Sequence, residues 1–295
     1  MNHFFTLAPL MLLFSACVST TTPHISSHEP DHSFSSIIQR CDSIDIEQTQ
    51  AIKQSDDIGL NPNSISLLNW NTYKGGKKNW GEDFHLLSQH KDIITLQEAR
   101  LNKELHSTLD SLKLYWELTT AFLYNEDEVG VLTASNVSPS KLCSIHSHEP
   151  VIKLPKTLMV SKYPILGHDK ELLVANIHSI NFTLGIDKYA EQINVLQDVI
   201  KQHQGPVIVA GDFNSWSSSR VEIIKQFEQV LSLKSLQYQN HNRTTVFGYA
   251  IDHVFYRGLT PSSIETPKVD SSDHNPIMVN FSVNHLQKEV TLAND

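Results

Sequence analysis

The chain has 295 residues, 40% of them hydrophobic and 19% charged, with a formal net charge of −9 and a pI near 5.9. That length suits one large domain with extra N-terminal material, and the composition is that of a globular protein able to bury a sizeable core. The acidic balance argues against a general nucleic-acid binder, whose affinity comes from Lys and Arg on phosphates; a hydrolase needs only a local positive site, which a divalent metal can supply.

Phe4 to Phe14 is an apolar stretch, too short to span a bilayer and of the length expected for a secretory leader, so residues 1–16 read as a signal peptide. Phe14-Ser15-Ala16-Cys17 resembles a bacterial lipobox, in which the cysteine is lipidated and becomes the mature N-terminus, although the leader lacks Lys and Arg and Phe14 stands where Leu is usual. The expectation is an exported protein of the bacterial cell envelope, anchored to the membrane by lipid on Cys17, or otherwise periplasmic or secreted. Residues 17–36, rich in Ser, Thr, Pro and His, read as a flexible tether, and 37–63 as an N-terminal extension in which order begins near Ile37 or Ile44. Cys41 and Cys143 are the thiols left in such an exported chain. They read either as a disulfide or as two unpaired buried cysteines. No Cys-x-x-Cys or adjacent His-Cys spacing suits a metal.

From Ser64 onward, short β-type runs recur at 64–70, 92–97, 115–124, 129–135, 157–163, 171–177, 206–211, 250–256 and 276–283. Two helices are signposted. One follows Asp187, read as its cap, with Tyr189, Ile193, Leu196 and Ile200 at helical spacing; the other repeats that spacing at Val221, Ile224, Phe227 and Leu231, after Ser217 to Ser219. Mixed strands and helices without strict alternation suggest two packed sheets with helices on their outer faces, over a domain spanning 64–285. Residues 286–295 read as a polar tail.

Several apolar β-branched runs end in metal-seeking or proton-moving residues: Leu68-Asn69-Trp70-Asn71, Leu96-Gln97-Glu98, Asn176-Ile177-His178, Gly211-Asp212-Phe213-Asn214, Ile251-Asp252-His253 and Ser272-Asp273-His274. Strands of this kind aim polar tips at one rim. The order and wording of these segments, GDFN, IDHVF and SDHNP above all, resemble the endonuclease/exonuclease/phosphatase superfamily, and the phrases around Asn71, Glu98 and Asp212 are most similar to its bacterial YafD-like branch. The resemblance implies a DNase I-like four-layer α/β sandwich, two mixed sheets flanked by helices, acting as a metal-dependent phosphoric ester hydrolase, with Mg²⁺ or Mn²⁺ as cofactor.

It also implies roles. Asn71, Glu98 and Asp273 would serve the metal; hard divalent cations take carboxylate and amide oxygens. Asp212 would orient or deprotonate the attacking water, and Asn214 would bond the phosphoryl oxygens. His274 would contact phosphate with Asp252 holding its second nitrogen, and His178 would be a second phosphate or leaving-group histidine. No carboxylate partner for His178 is assigned; Glu126-Asp127-Glu128 is a loose candidate. His253 reads as packing, His146 and His148 as solvated, and Arg100, Arg220 and Arg243 as surface ion pairs or phosphate contacts. A monomer is expected. Nucleic acid is the leading substrate because nucleases are common in the superfamily, with a lipid or small phosphate ester as the second reading and a non-catalytic surface lipoprotein as the third.

Overall fold

The structure, a computed structural model, describes residues 18–30, 35–37, 41, 58–151, 154–183, 185–239 and 241–284. The leader, Cys17, Ile44 and the 286–295 tail lie outside the described residues. The N-terminal segment supplies β1 (Val18–Ser19), β2 (Ile25–His28) and β3 (Ser35–Ile37). The first half of the domain follows with β4 (Ile65–Asn71), α1 (Trp80–Ser88), β5 (Ile93–Arg100), α2 (Lys103–Ser111), β6 (Tyr115–Tyr124), β7 (Asp127–Ser135) and β8 (Lys141–His148). The second half comprises β9 (Pro155–Tyr163), β10 (Leu172–His178), α3 (Asp187–Lys201), β11 (Val207–Asp212), α4 (Ser218–Leu231), β12 (Lys234–Ser235), β13 (Thr245–Val246), β14 (Tyr249–Ala250), β15 (Asp252–Arg257), β16 (Leu259–Glu265) and β17 (Ile277–Val283).

One sheet runs β16-β17-β4-β5-β7-β6-β2-β3, with β1 also on β6; the other runs β12-β15-β11-β10-β9-β8, and β13-β14 form a small hairpin. The pairs β4–β5 and β10–β11 are parallel, and bonds from Asn71 to Asp212 and from Gln97 to Asn176 bring the C-terminal ends of both pairs together. Strand alternation builds the four layers. In β4, Leu68 and Trp70 join Trp80, Phe84 and Leu105 of α1 and α2, while Ile65 and Leu67 meet Val174, Ile208 and Val254 of the other sheet. In β10 and β11, Leu173, Ala175, Val207 and Val209 face α3 and α4 through Ile193, Leu196 and Phe227. The four-layer α/β sandwich expected from sequence is the fold. Among the described residues no helix is long and apolar enough to cross a membrane.

Within 17–36 the tether reading is corrected. Ile25–His28 is a strand paired with β6, Ile25 is buried against Val131 and Met159, and Ser26 Oγ donates to Glu128 Oε2 at 2.7 Å. Its Ser-rich composition conceals this, because one apolar residue and a few paired polar ones suffice to dock a short edge strand. Asp187 is not a cap but the first helical residue of α3, where its carboxylate complements the helix N-terminus; α4 does carry its Ser cap, Ser217 accepting from Arg220 N. Cys41 and Cys143, 102 positions apart, are bonded with their Cα atoms at 5.0 Å. A loop of that size is worth ~4 kcal/mol in the chain-entropy account.

Glu117 of β6 is buried, and its Oε2 has no hydrogen-bond partner. Burial, reinforced by the negative charge of Glu29, pushes its carboxyl up to about 8. Below the unfolded value both states are protonated, so the stabilisation relative to the ionised form is fully present; as pH rises towards 8 the unfolded chain releases a proton that the folded chain keeps, and stability falls. Glu117→Gln is expected to remove this decline, gaining on the order of 3 kcal/mol over the native chain at pH 8 but little near pH 4. Denaturant unfolding of both proteins across pH 4–8 checks it; parallel stability curves would exclude a buried neutral acid.

Candidate active site

The space between the sheets changes character along the strands. Its floor is apolar, with Ile65, Leu67, Val174, Ile208, Ala210 and Val254. Next comes a layer of buried amides and hydroxyls. Gln97 Nε2 donates to Asn69 Oδ1 at 3.0 Å and to Asn176 Oδ1 at 2.8 Å, Thr95 Oγ1 donates to Asn69 Oδ1 at 2.9 Å, and Asn176 Nδ2 donates to Leu132 O at 2.8 Å. One alternation step further lie Asn71, His178 and Asp212, two residues beyond Asn69, Asn176 and Ala210 on the same strand faces. The register sets His178 beside Asp212 and Asp212 beside Asp252 on three neighbouring strands.

Two backbone devices complete the arrangement. Strict alternation in β5 would put Glu98 with Ile94 and Leu96 on the helix side; instead the register shifts between Leu96 and Ala99, Glu98 takes a left-handed φ of 49°, and its carboxylate pairs with Lys74 in the cleft. At Gly211 a Cβ would lie 2.0 Å from Ile177 O, so only glycine lets β10 and β11 pair closely enough to align His178 with Asp212.

Asp212 is the hub. Its Oδ2 accepts from Asn71 Nδ2 at 3.0 Å and lies 3.5 Å from His178 Nε2 and 4.0 Å from His274 Nε2, while its Oδ1 accepts from Asn214 N at 2.9 Å. His274 Nδ1 pairs with Asp252 Oδ2 at 2.8 Å. The loop carrying His274 is held by Trp70 Nε1 donating to His274 O at 2.8 Å and Ser272 Oγ donating to Asn71 O at 2.7 Å. Lys156 Nζ stands 2.7 Å from His178 Nε2.

The two histidines have opposite fates. Burial disfavours the imidazolium of both. At His274 the adjacent Asp252, with Asp212 and Asp273, outweighs burial and holds the ring up to about 10, so it is cationic at neutral pH. At His178 burial and the Lys156 ammonium together push the ring well below its ordinary value despite Glu98, so it is neutral and accepts from Lys156. Burial raises Asp212 to about 6 against the pull of His274. Burial also opposes ionisation of Glu98, but Lys74, with Lys156 behind it, holds it at about 2.

A sequence profile of the Endonuclease/Exonuclease/phosphatase family matches residues 68–274, the span from β4 to His274. The chain belongs to this family. Among curated relatives, a UPF0294 protein of Vibrio parahaemolyticus is 36% identical over 95% of this chain and 98% of its own, and one of Vibrio campbellii is 39% identical over 75% and 78%. Among solved structures, the catalytic domain of human Nocturnin with a bound sulfate anion superposes with a TM-score of 0.60 at 17% identity, covering 77% of this chain and 97% of that one. The mannosyl-6-phosphatase Bt3783 of Bacteroides thetaiotaomicron gives 0.57 at 15%, covering 74% and 99%. At such identities the superpositions speak for the fold. Family and fold together describe a phosphoesterase-type hydrolase.

As an endonuclease/exonuclease/phosphatase protein, the chain places most of its expected site residues in one cavity. Asn71, Glu98, His178, Asp212, Asn214, Asp252 and His274 converge, whereas Asp273 is exposed at the mouth with Oδ1 3.4 Å from Ser272 Oγ. Asn214 Nδ2 donates to Ser179 O at 3.0 Å and so bonds the loop after β10. Among the described residues, Asp212, Asp252 and His274 bring ligand atoms within 4.8 Å of one another. The His274 imidazolium is no ligand, but the anionic Glu98 and the Asn71 amide oxygen, with the Asp212 and Asp252 carboxylates adjoining and the buried Asp252 Oδ1 lacking a partner, form an oxygen-rich surrounding that fits a divalent cation such as Mg²⁺ or Mn²⁺.

The acidic cluster does not serve His178: Asp127 pairs with Arg100, and Glu128 accepts from Ser26 and Thr120 and bonds His24. Arg220 is no surface ion pair. It is buried between Tyr189 and Trp216, donating to the carbonyls of Ile180, Asn181 and Asn214, and so fixes the loops after β10 and β11. Arg243 lies over the Tyr238 ring, and His253 bonds Ser215 Oγ at 2.8 Å within the α3/α4 side of the core. Sequence reasoning missed Lys74 and Lys156 as site residues. Lys74 had a signal in its place three residues after Asn71; Lys156 had none.

Asn176→Leu is expected to cost roughly 2–4 kcal/mol by removing one of the two acceptors of Gln97 Nε2 and the amide donor to the Leu132 carbonyl, and to lower turnover although Asn176 touches no site group. Thermal unfolding and steady-state kinetics check it; unchanged stability would show that the amide layer is dispensable.

Proposed function

We propose that this protein is a divalent-metal-dependent phosphodiesterase that hydrolyses its substrate by in-line attack of an activated water. The observation that carries the reading is the Asp212 hub: a buried carboxylate with Asn71 on one oxygen, flanked by one cationic and one neutral histidine.

Asp212 orients the water and takes its proton. His274, cationic and fixed by Asp252, aims Nε2 into the cavity to bond a phosphoryl oxygen as negative charge develops there. Lys156, bonded to the neutral His178, supplies positive charge and a proton to the departing alkoxide. Asn214, Arg220 and Tyr189 hold the loops that carry these groups; Tyr189 Oη donates to Phe213 O at 2.8 Å. Glu98 and Asn71, with Asp273 at the mouth, would hold the cation. When bound, Mg²⁺ or Mn²⁺ would polarise the phosphoryl oxygens and acidify water. Nucleic-acid and lipid diesters present the same reacting group to this machinery, so the walls of the cleft, not its centre, choose between them.

His274→Ala and Asp212→Asn are each expected to lower kcat/KM for bis-p-nitrophenyl phosphate by roughly 10²–10⁴-fold, with an unchanged far-UV CD spectrum. EDTA should abolish hydrolysis, and added Mg²⁺ or Mn²⁺ should restore it. Full activity in either variant would refute the assigned roles.

A further inference from the structure

The cleft that opens from the site is about 170 Å³, and its two ends differ in chemistry. Lys74, Glu98, Lys156 and His178 line the inner end. The outer walls are apolar: Val18, Phe122 and Val129 on the β1/β6/β7 side, Leu154 and Phe182 opposite. The cations lining this cleft are Lys74 and Lys156, enough for one phosphoryl group and not for the run of phosphates along a nucleic-acid backbone.

The rim continues the apolar character. Phe182 is 53% exposed and Phe247, at the tip of the β13–β14 hairpin, 82%. They belong to one surface: Asn181, beside Phe182, accepts from Trp216 Nε1 at 2.9 Å, and the Trp216 and Phe247 rings are 6.2 Å apart. Tyr73, also exposed, borders the Lys74 side. Solvent-facing aromatic side chains around an opening suit a membrane interface, where their rings sit at headgroup level.

The N-terminus adds an independent constraint. Val18 pairs with Tyr124 at the edge of β6 and is itself part of the cleft wall. Cys17, read from the sequence as the lipid-bearing residue, immediately precedes Val18 in the chain. An acyl chain on Cys17 would therefore tether the mouth of the cleft to the bilayer surface, with no spacer between anchor and active site.

We propose that the substrate is a membrane-lipid phosphodiester, taken from the bilayer in which the chain is anchored, with its apolar arm between Phe122 and Phe182 and its phosphorus between Lys156 and Glu98. This rests on the phosphodiesterase reading given above. One water adds across one P–O ester bond, giving an alcohol and a phosphomonoester; no other co-reactant is needed.

The test uses the full chain, purified from membranes and reconstituted with Mg²⁺ into vesicles of phosphatidylethanolamine and phosphatidylglycerol, with bis-p-nitrophenyl phosphate and single-stranded DNA as parallel substrates. Vesicle phospholipid should be hydrolysed at least 100-fold faster than DNA. Phe182→Glu, on an exposed side chain whose replacement spares folding, should lower the ratio of lipid to small-ester turnover at least ten-fold, and Phe122→Ser should lower it in the same direction. Hydrolysis of the small ester or DNA with intact vesicle lipid would overturn the proposal and leave the phosphodiesterase reading standing. A ratio unmoved by both variants would also overturn it. Absence of hydrolysis of every ester would remove the underlying reading as well.

Discussion

The structure depends on the amide bridge from Asn69 through Gln97 to Asn176, because it is a fully buried polar tie, just below the site, between two sheets whose floor is apolar. Apolar packing is non-directional and tolerates sliding. Hydrogen bonds between buried amides do not, since a shift of one residue would strand donors and acceptors at a cost of 1–3 kcal/mol each. Each amide sits two residues before the site on its strand, or one residue before Glu98. Locking their register therefore locks Asn71 and Glu98 of one sheet against His178, Asp212 and Asp252 of the other. The Asn176 amide also donates to Leu132 O in β7, so the tie reaches beyond the two strands it joins most directly.

The same locked geometry explains how one cavity keeps two histidines in different charge states. Both are nearly dry, so each responds to its closest charge rather than to solvent. Asp252 stands 2.8 Å from His274, and Lys156 stands 2.7 Å from His178. Exchange of those two neighbours would exchange the roles of the rings. Environments that push paired titratable groups apart are what acid and base assignments rest on, and here the separation is set by which strand supplies each neighbour.

Much of this was legible because the chemistry sits at strand ends and strands alternate. The runs ending in Asn71, His178 and Asp212 show where each side chain faces, and the GDFN, IDHVF and SDHNP segments point to a shared rim. What escaped was set by tertiary context. Glu98 is named by its motif, but the β-bulge and left-handed φ that carry it into the site are not visible in periodicity. Lys156 begins a strand with no distinguishing pattern, and only the pairing of β9 with β10 carries it to His178. Arg220 reads as a surface cation in a helix start, yet it is buried because three carbonyls and two aromatic rings replace its water. α1 begins at an Asn without a side-chain cap bond and buries few residues, leaving little helical signal. In 17–36, composition outweighed the single Ile25 that docks β2.

Net charge misleads for a related reason. A formal charge of −9 suggests repulsion of any phosphate ester. The field inside a low-dielectric cleft is nevertheless set by the few charges lining it, and these are Lys74, Lys156 and the His274 imidazolium against Glu98, Asp212 and Asp252. Three carboxylates held together in a buried cavity are costly unless positive charge joins them. The protein supplies three cations against these three carboxylates, so a divalent cation held by the oxygen ligands would bring positive charge that the anionic phosphodiester itself balances. The acidity that appears unfavourable for a phosphate at the level of the whole chain is, at the level of the cavity, the condition for holding the metal that a phosphate requires.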